Sequence, residues 1–404
     1  MEKNRAYLVL IGCCFLTACV HGIEGGTMGN FILPISYTFG MTISSISAYI
    51  TIKGIALVVA IPLVNYAITR FNIKYVLFIA GLVYSCVLFA LSFSENLIQL
   101  YGFAILQGIS SSFFSTVAVP LLIQGWFKKN HSIFLGIAFA ASGIAGALIS
   151  PVITQVISTY GWRFAYKILA LFEVSVLAPA ILILIRRAPR GHNSFAVNEE
   201  PILNKAKLKI EGKMIYRDKS FLLLMIYGSS LALSNGFFFI MPSLTQNLGH
   251  TAILGARLVS FCLLGATLGK IIFGFLNVHL SVNRVTLIAG VCGGFGIILI
   301  FTRINHGLLP FIGALLYGFL VSLMTLEPPL IVKKTTEIHF QQDVFVFVSM
   351  IVQLSYVLGP VLYSLIYDST QSYWMVITVN FAFIFISIFS SKILLTTDVA
   401  KENI

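Results

Sequence analysis

The chain has 404 residues, of which 58% are hydrophobic and only 10% charged, and it carries a net charge of +12. A water-soluble domain places charge on about a quarter of its residues, so a chain with a mean hydropathy of +0.95 must meet hydrocarbon instead. Hydrocarbon leaves no partner for a bare N–H or C=O, which restricts spanning segments to helices or a closed barrel. Continuous apolar runs of about 20 residues, without the alternating segments of about 10 that build a barrel, select helices.

Twelve spans are predicted, at 7–34, 44–69, 75–93, 98–124, 132–157, 163–186, 221–246, 252–276, 285–303, 308–332, 343–367 and 374–396. The first follows a short basic start, Met1 to Arg5, but no small-residue cleavage site with a soluble domain behind it follows, so the run reads as a span. It carries two overlapping GxxxG pairs, Gly22/Gly26 and Gly25/Gly29, which permit close helix approach. His21 and Glu24 lie three positions apart, on one face of a regular helix. Span 2 holds Lys53, about 13 Å of helix rise from the nearer end, too deep for easy snorkelling. Span 4 has Gln107, and span 5 has Ser142, Gly146 and Ser150 at every fourth position, followed by Pro151, where a bend is expected. Span 6 contains Lys167, which can reach the surface, and Glu173.

A polar stretch, Arg186–Ser220, then divides the spans six and six. Span 7 ends on Phe239-Ile240-Met241-Pro242, an echo of Phe31-Ile32-Leu33-Pro34, and each is followed by a polar stretch and a glycine, Gly249 and Gly40. Asn235 lies in the same span. Span 8 holds Arg257 near one end and Lys270 four residues before Gly274, span 10 holds Tyr317 and Glu327, and span 11 holds Gln353 and Tyr356 but no lysine or arginine. The six cysteines all fall in apolar runs without paired or metal-ligand spacing and read as small core residues.

Charge placement sets the topology. Eleven basic residues fall on odd junctions and termini, among them Lys3, Arg70, Lys128, Arg284, Lys333 and Lys401, and nine more lie in Arg186–Lys219. Only Arg163 and Arg303 lie on the opposite side. Positive residues mark the cytoplasmic face, so both termini and the central loop are expected inside, and the net charge implies no nucleic-acid partner.

At the span 4–5 junction, Gln124-Gly125-Trp126-Phe127-Lys128-Lys129, Gly136-Ile137-Ala138 and Ala141-Ser142-Gly143-Ile144-Ala145-Gly146 resemble a block of the monocarboxylate transporter and oxalate:formate antiporter branch of the major facilitator superfamily. Tyr160-Gly161-Trp162-Arg163 and the Arg186-Arg187-Ala188-Pro189 exit fit the same branch. The superfamily's loop 2–3 signature is eroded: Arg70 and Lys74 keep its basic pair, but Thr69 stands where Asp is expected and Asn65 where Gly is expected. The second copy has Val278 in place of its Asp.

The resemblance implies an all-α membrane protein with twelve transmembrane helices in two six-helix bundles, 1–187 and 221–404, joined by a cytoplasmic linker loop, 188–220. It also implies that a basic residue at Lys270 engages a substrate carboxylate, where the branch more often uses arginine. The expected function is a secondary carrier in the cell membrane, working as a monomer, that moves a small organic anion, in first place a monocarboxylate, with a proton or against a counter-anion. The expected substrate-binding residues are Lys270, Lys53, Asn235, Tyr317, Gln353 and Tyr356, and the expected proton-coupling residues are Glu24 and His21. A charged group in a span costs roughly 2.5–3.5 kcal/mol on insertion scales and marks a functional site by default. The alternative is a proton-driven exporter of hydrophobic or cationic compounds; a polytopic enzyme or non-transporting sensor is remote. Walker, GxSxG and HExxH motifs are absent and His339 to Asp343 gives one weak acyltransferase-like spacing, so no catalytic residue, metal or cofactor is expected.

Overall fold

In the computed structural model the described residues are 2–114, 118–127, 131–186, 219–302, 307–335 and 341–399. The linker and His339 lie outside them. The described residues are helical throughout, with no strand among them. The first span joins α1 (Glu2–Thr17), a π-turn (Ala18–Ile23) and α2 (Glu24–Phe39). It is followed by α3 (Ile43–Arg70), α4 (Ile73–Leu91), α5 (Leu97–Ser112), α6 (Ala118–Trp126), α7 (His131–Tyr160) and α8 (Trp162–Pro179), the last running into a second π-turn, Ala180–Leu184. The second half holds α9 (Lys219–Asn235), α10 (Phe237–Asn247), α11 (Ala252–His279), α12 (Val282–Thr302), α13 (Leu309–Thr335), α14 (Gln341–Thr370) and α15 (Tyr373–Val399).

Eleven of these segments are long and apolar enough to cross a membrane. The predicted fourth span is divided into α5 and α6. Ser110, Ser111 and Ser112 each turn a hydroxyl back onto a carbonyl one turn earlier, at 2.9, 3.0 and 2.6 Å for the shortest bond of each. Such back-bonding competes with the helical ladder, and α5 ends there in a turn at Phe113 and Phe114. Elsewhere boundaries follow local chemistry. Thr42 caps α3 through Ser45 N, Asn72 caps α4 through Lys74 N, and Asn96 caps α5 through Gln99 N, each supplying an acceptor to an orphan donor. The echoed Pro34 and Pro242 both lie inside helices, α2 and α10, and the glycines after them, Gly40 and Gly249, both adopt left-handed backbone, at φ 61° and 85°. Only glycine enters that region without strain.

Two compact units emerge. One comprises Met1–His192, Phe238–Leu264 and Pro360–Tyr373; the other comprises Asn193–Phe237, Gly265–Gly359 and Trp374–Ile404. Within the first, the α1–α2 span lies against α7, α3 pairs with α5, and α4 packs on α8. The glycines of span 1 set the closest approach: a Cβ on Gly26 would lie 2.7 Å from Gly146 Cα, and one on Gly146 would lie 2.5 Å from Gly22 O. Pro151 does not interrupt α7. The Asp368 carboxylate accepts a bond from Ser44 N at the start of α3, at 2.9 Å, and the Ser47 and Ser364 hydroxyls meet at 2.8 Å. Within the second unit α12 packs along α13 with Gly296 facing Gly313, and α9 packs on α13.

Candidate functional site

The first unit carries a buried polar cluster. Lys53 of α3 makes an ion pair with Glu24, the first residue of α2, and Tyr84 of α4 donates to the second carboxyl oxygen of Glu24 at 2.8 Å. Gly108 of α5, lacking a Cβ, lets α5 come against the Lys53 backbone. Tyr49, one turn before Lys53, donates to the Gln107 side chain. Glu24, Tyr49, Tyr84, Gln107, Tyr166 and Glu173 face a small cavity, with Ile23, Phe31 and Leu169 among its apolar walls. The space open to water centres is about 10 Å³, room for one water molecule.

Glu173 of α8 is 1% exposed, and its Oε2 has no hydrogen-bond partner among the described residues. In the sequence it is one carboxyl within span 6, with nothing to mark it as part of a site. Tyr49, Tyr84 and Tyr166 carried no signal beyond being tyrosines inside apolar runs. A buried phenol seeks a partner, but the sequence does not say which.

The structure places Glu24 and Lys53 together, so Lys53 is not an unpaired cation. His21, in the π-turn, is not among the residues that line the cavity but lies within electrostatic reach of Lys53, and its Nε2 has no partner among the described residues. Lys270 stands on α11, partly exposed, with no hydrogen bond or ion pair among the described residues. Tyr317 donates to the Ser234 carbonyl at 2.7 Å, and Asn235 Nδ2 donates to the Val321 carbonyl at 3.4 Å, while Asn235 Oδ1 has no partner among the described residues. Gln353 and Tyr356 are half-buried on α14. Glu327 of α13 is fully buried and accepts from Tyr227 at 3.2 Å and from Thr286 at 3.0 Å. Arg257 is exposed, and the Lys167 ammonium lies 5.0 Å from the centre of the Phe93 ring. No group of three His, Cys, Asp or Glu side chains among the described residues is placed to hold a metal ion.

Residues 13–360 match the Major Facilitator Superfamily. The chain belongs to that superfamily. Among the relatives of this superfamily member, monocarboxylate transporter 12 of Xenopus laevis is 23% identical over 172 residues, covering 42% of this chain and 37% of that protein. Monocarboxylate transporter 7 of Homo sapiens is 26% identical over 177 residues, covering 44% and 34%. The chain thus spans little more than a third of the length of these curated relatives. A crystal structure of the nucleoside transporter NupG superposes with a TM-score of 0.70 at 15% identity, covering 97% of this chain and 98% of that one. The three named proteins are transporters by title and none is an enzyme.

Several residues that carry the superfamily resemblance hold helix ends in place. Trp126 Nε1 donates to the Arg186 carbonyl at 2.7 Å, and Phe127 stacks on Phe134 with centroids 4.0 Å apart. Gly161 opens α8 at φ 82°, so that Trp162 Nε1 can reach Thr38 at 2.9 Å and Arg163 can reach the Ser94 carbonyl at 2.9 Å. These aromatic and basic positions are therefore scaffold, and the charged groups inside the spans are the candidates for function.

Proposed function

We propose that this chain is a secondary active transporter that moves a small organic anion, in first place a monocarboxylate, across the cell membrane by alternating access, with proton symport or anion exchange. In this reading the twelve spans, α5 and α6 forming the fourth, are arranged as two six-helix bundles, 1–187 and 221–404, with the 188–220 linker and both termini in the cytoplasm, and the protein works as a monomer. The observation that carries the proposal is Lys270. It is a cation within a span that has no carboxylate partner among the described residues, and such a charge is costly until something anionic joins it. Lys53 contributes less directly to anion binding, because Glu24 already neutralises it. Asn235, Tyr317, Gln353 and Tyr356 are assigned to orienting the substrate, and Glu24, with His21 beside it in sequence, to the proton. The names of the curated relatives support the monocarboxylate reading.

Uptake of radiolabelled small carboxylates into proteoliposomes tests it. Lys270→Gln is expected to lower uptake at least about tenfold, equivalent to about 1.4 kcal/mol, whereas Lys270→Arg keeps the charge and retains part of it. Wild-type uptake by Lys270→Gln would remove this residue from the site. One observation favours the alternative of a proton-driven exporter of cationic compounds: the first unit buries two carboxyl groups, Glu24 and Glu173, against one lysine, Lys53. Competition by lipophilic cations, with none by carboxylates, would select that alternative.

A further inference from the structure

We propose that Glu173 is a second proton-binding residue and that it shares a single proton with Glu24 across the small cavity, with Lys53 as the counter-ion of whichever carboxyl is ionised. The inference rests on the reading that transport is proton-coupled, and it deepens that reading by assigning a residue on α8 to the proton site.

The argument begins with charge. Burying an ionised carboxylate without partners is far more costly than burying a neutral carboxyl. Glu24 has a cation and a phenol as partners, so its charge is satisfied. Glu173 is equally enclosed, faces the same cavity, and its Oε2 has no hydrogen-bond donor among the described residues. Two carboxyl groups and one ammonium are neutral only if one carboxyl holds a proton. The geometry gives that proton to Glu173 in this arrangement of side chains, with Glu24 ionised on Lys53.

The remaining titratable groups around Glu173 include no second lysine or arginine. From span 1 the neighbours are Cys19 and Glu24; from α3, Tyr49 and Lys53; from α4, Tyr84; and from α8 itself, Tyr166, while His21 of span 1 lies within electrostatic reach of Lys53. Among these Lys53 is the one ammonium, and it lies within electrostatic reach of Glu173 as well as paired with Glu24. The step that follows is a proton transfer. The O–H bond of the Glu173 carboxyl breaks, an O–H bond forms on Glu24 directly or through one water in the cavity, and the Lys53 ammonium moves from Glu24 to Glu173. The cluster is neutral before and after. When the proton leaves for the aqueous side, the cluster carries one net negative charge, which disfavours an anion in the same low-dielectric interior. Proton occupancy is thereby linked to anion occupancy.

Three variants of the purified, full-length protein test the sharing. In wild-type-minus-variant infrared difference spectra at neutral pH, the band of one protonated carboxyl is expected to be lost in both Glu173→Gln and Glu24→Gln. Lys53→Met is expected to gain one protonated carboxyl relative to wild type. Glu173→Gln mimics the protonated form and should melt within about 2 °C of wild type, on the order of 0.5 kcal/mol for a chain of this size. Glu24→Gln should melt lower, and the double variant, which strands Lys53, lowest. None of these measurements needs a substrate, so they decide the proton site even if no carboxylate proves to be carried. In proteoliposomes Glu173→Gln should retain substrate exchange yet lose at least tenfold of accumulation driven by a pH gradient. Retention of the carboxyl band in Glu173→Gln, unchanged gradient-driven accumulation in that variant, or loss of the wild-type band on adding sodium ion at constant pH would each overturn the proposal, the last in favour of a metal-cation site.

Discussion

A lysine and a glutamate buried together on neighbouring helices act as one group. Taking each alone into the span would cost several kcal/mol, and removing one partner of such a pair typically costs about 3–5 kcal/mol because the other is left uncompensated. Glu24→Lys, which sets two ammonium groups side by side, is therefore expected to lower stability by at least about 3 kcal/mol, seen as loss of monodisperse protein on size-exclusion chromatography. Restoring the pair in reverse, as Glu24→Lys with Lys53→Glu, should recover most of the melting temperature. If the double exchange melts no higher than the single one, the ion pair makes no contribution to the fold. The individual charges were legible in the sequence, since few ionisable residues interrupt these spans. Their pairing could be weighed from the sequence as one alternative but not fixed, because periodicity places a residue on a face of its own helix without saying which helix that face meets. The place of Glu173 is illegible for the same reason: nothing in its flanking residues shows that α8 turns it toward the cavity that Glu24 also lines. The position of His21 is set by the π-turn that contains it and not by regular α-spacing, so it stays off the cavity lining while lying within reach of Lys53.

At the scale of elements, small residues decide which helices touch. The GxxxG spacing of span 1 and the every-fourth-position run of span 5 are complementary patterns, and they meet: Gly22 and Gly26 lie against Ser142 and Gly146. In hydrocarbon there is no solvent drive to push helices together, so the gain comes from van der Waals contact that only a missing side chain permits. Gly146→Leu should overpack this seam and cost about 1–3 kcal/mol, read as a lower melting temperature in detergent. Gly25→Ala, on the same span but with nothing within 4 Å of the added carbon, should leave the melting temperature within about 1 °C, since substitutions away from packed features stay within about 0.5 kcal/mol. Equal losses for the two would mean that the seam is not what holds span 1. The apolar runs were legible along the chain, and eleven segments among the described residues are long and apolar enough to span; three of the helix starts follow from the Thr42, Asn72 and Asn96 caps that the sequence displays. The interruption between α5 and α6 is not legible in the sequence: Ser110, Ser111 and Ser112 bond back to their own helix where α5 ends, but Ser387, Ser390 and Ser391 do the same within an unbroken α15.

That interruption matters most at the scale of the whole chain, because it controls parity. Eleven segments among the described residues are long and apolar enough to cross a membrane, and an odd number of crossings would put the two termini on opposite sides. The positive residues argue otherwise, because Arg70, Lys74 and Arg284 all lie at helix ends beside loops that share a side only if an even number of crossings separates them. Between the α3–α4 loop and the α11–α12 loop lie α4, the α5–α6 pair, α7, α8, the α9–α10 pair and α11, which is six crossings if α5–α6 counts as one and five if it does not cross. The α5–α6 pair is apolar on both sides of its break, and Gln107, Tyr49 and Gly108 fix α5 against α3 at depth, so the pair is expected to complete a crossing. Single cysteines at Glu95 and Ser281, both exposed in short loops, on a background lacking the six native cysteines, separate the two counts. An impermeant maleimide applied to intact cells should label Glu95→Cys and leave Ser281→Cys unlabelled until the membrane is opened. Labelling of both from outside would show that α5–α6 does not cross, and the placement of both termini in the cytoplasm would fall with it.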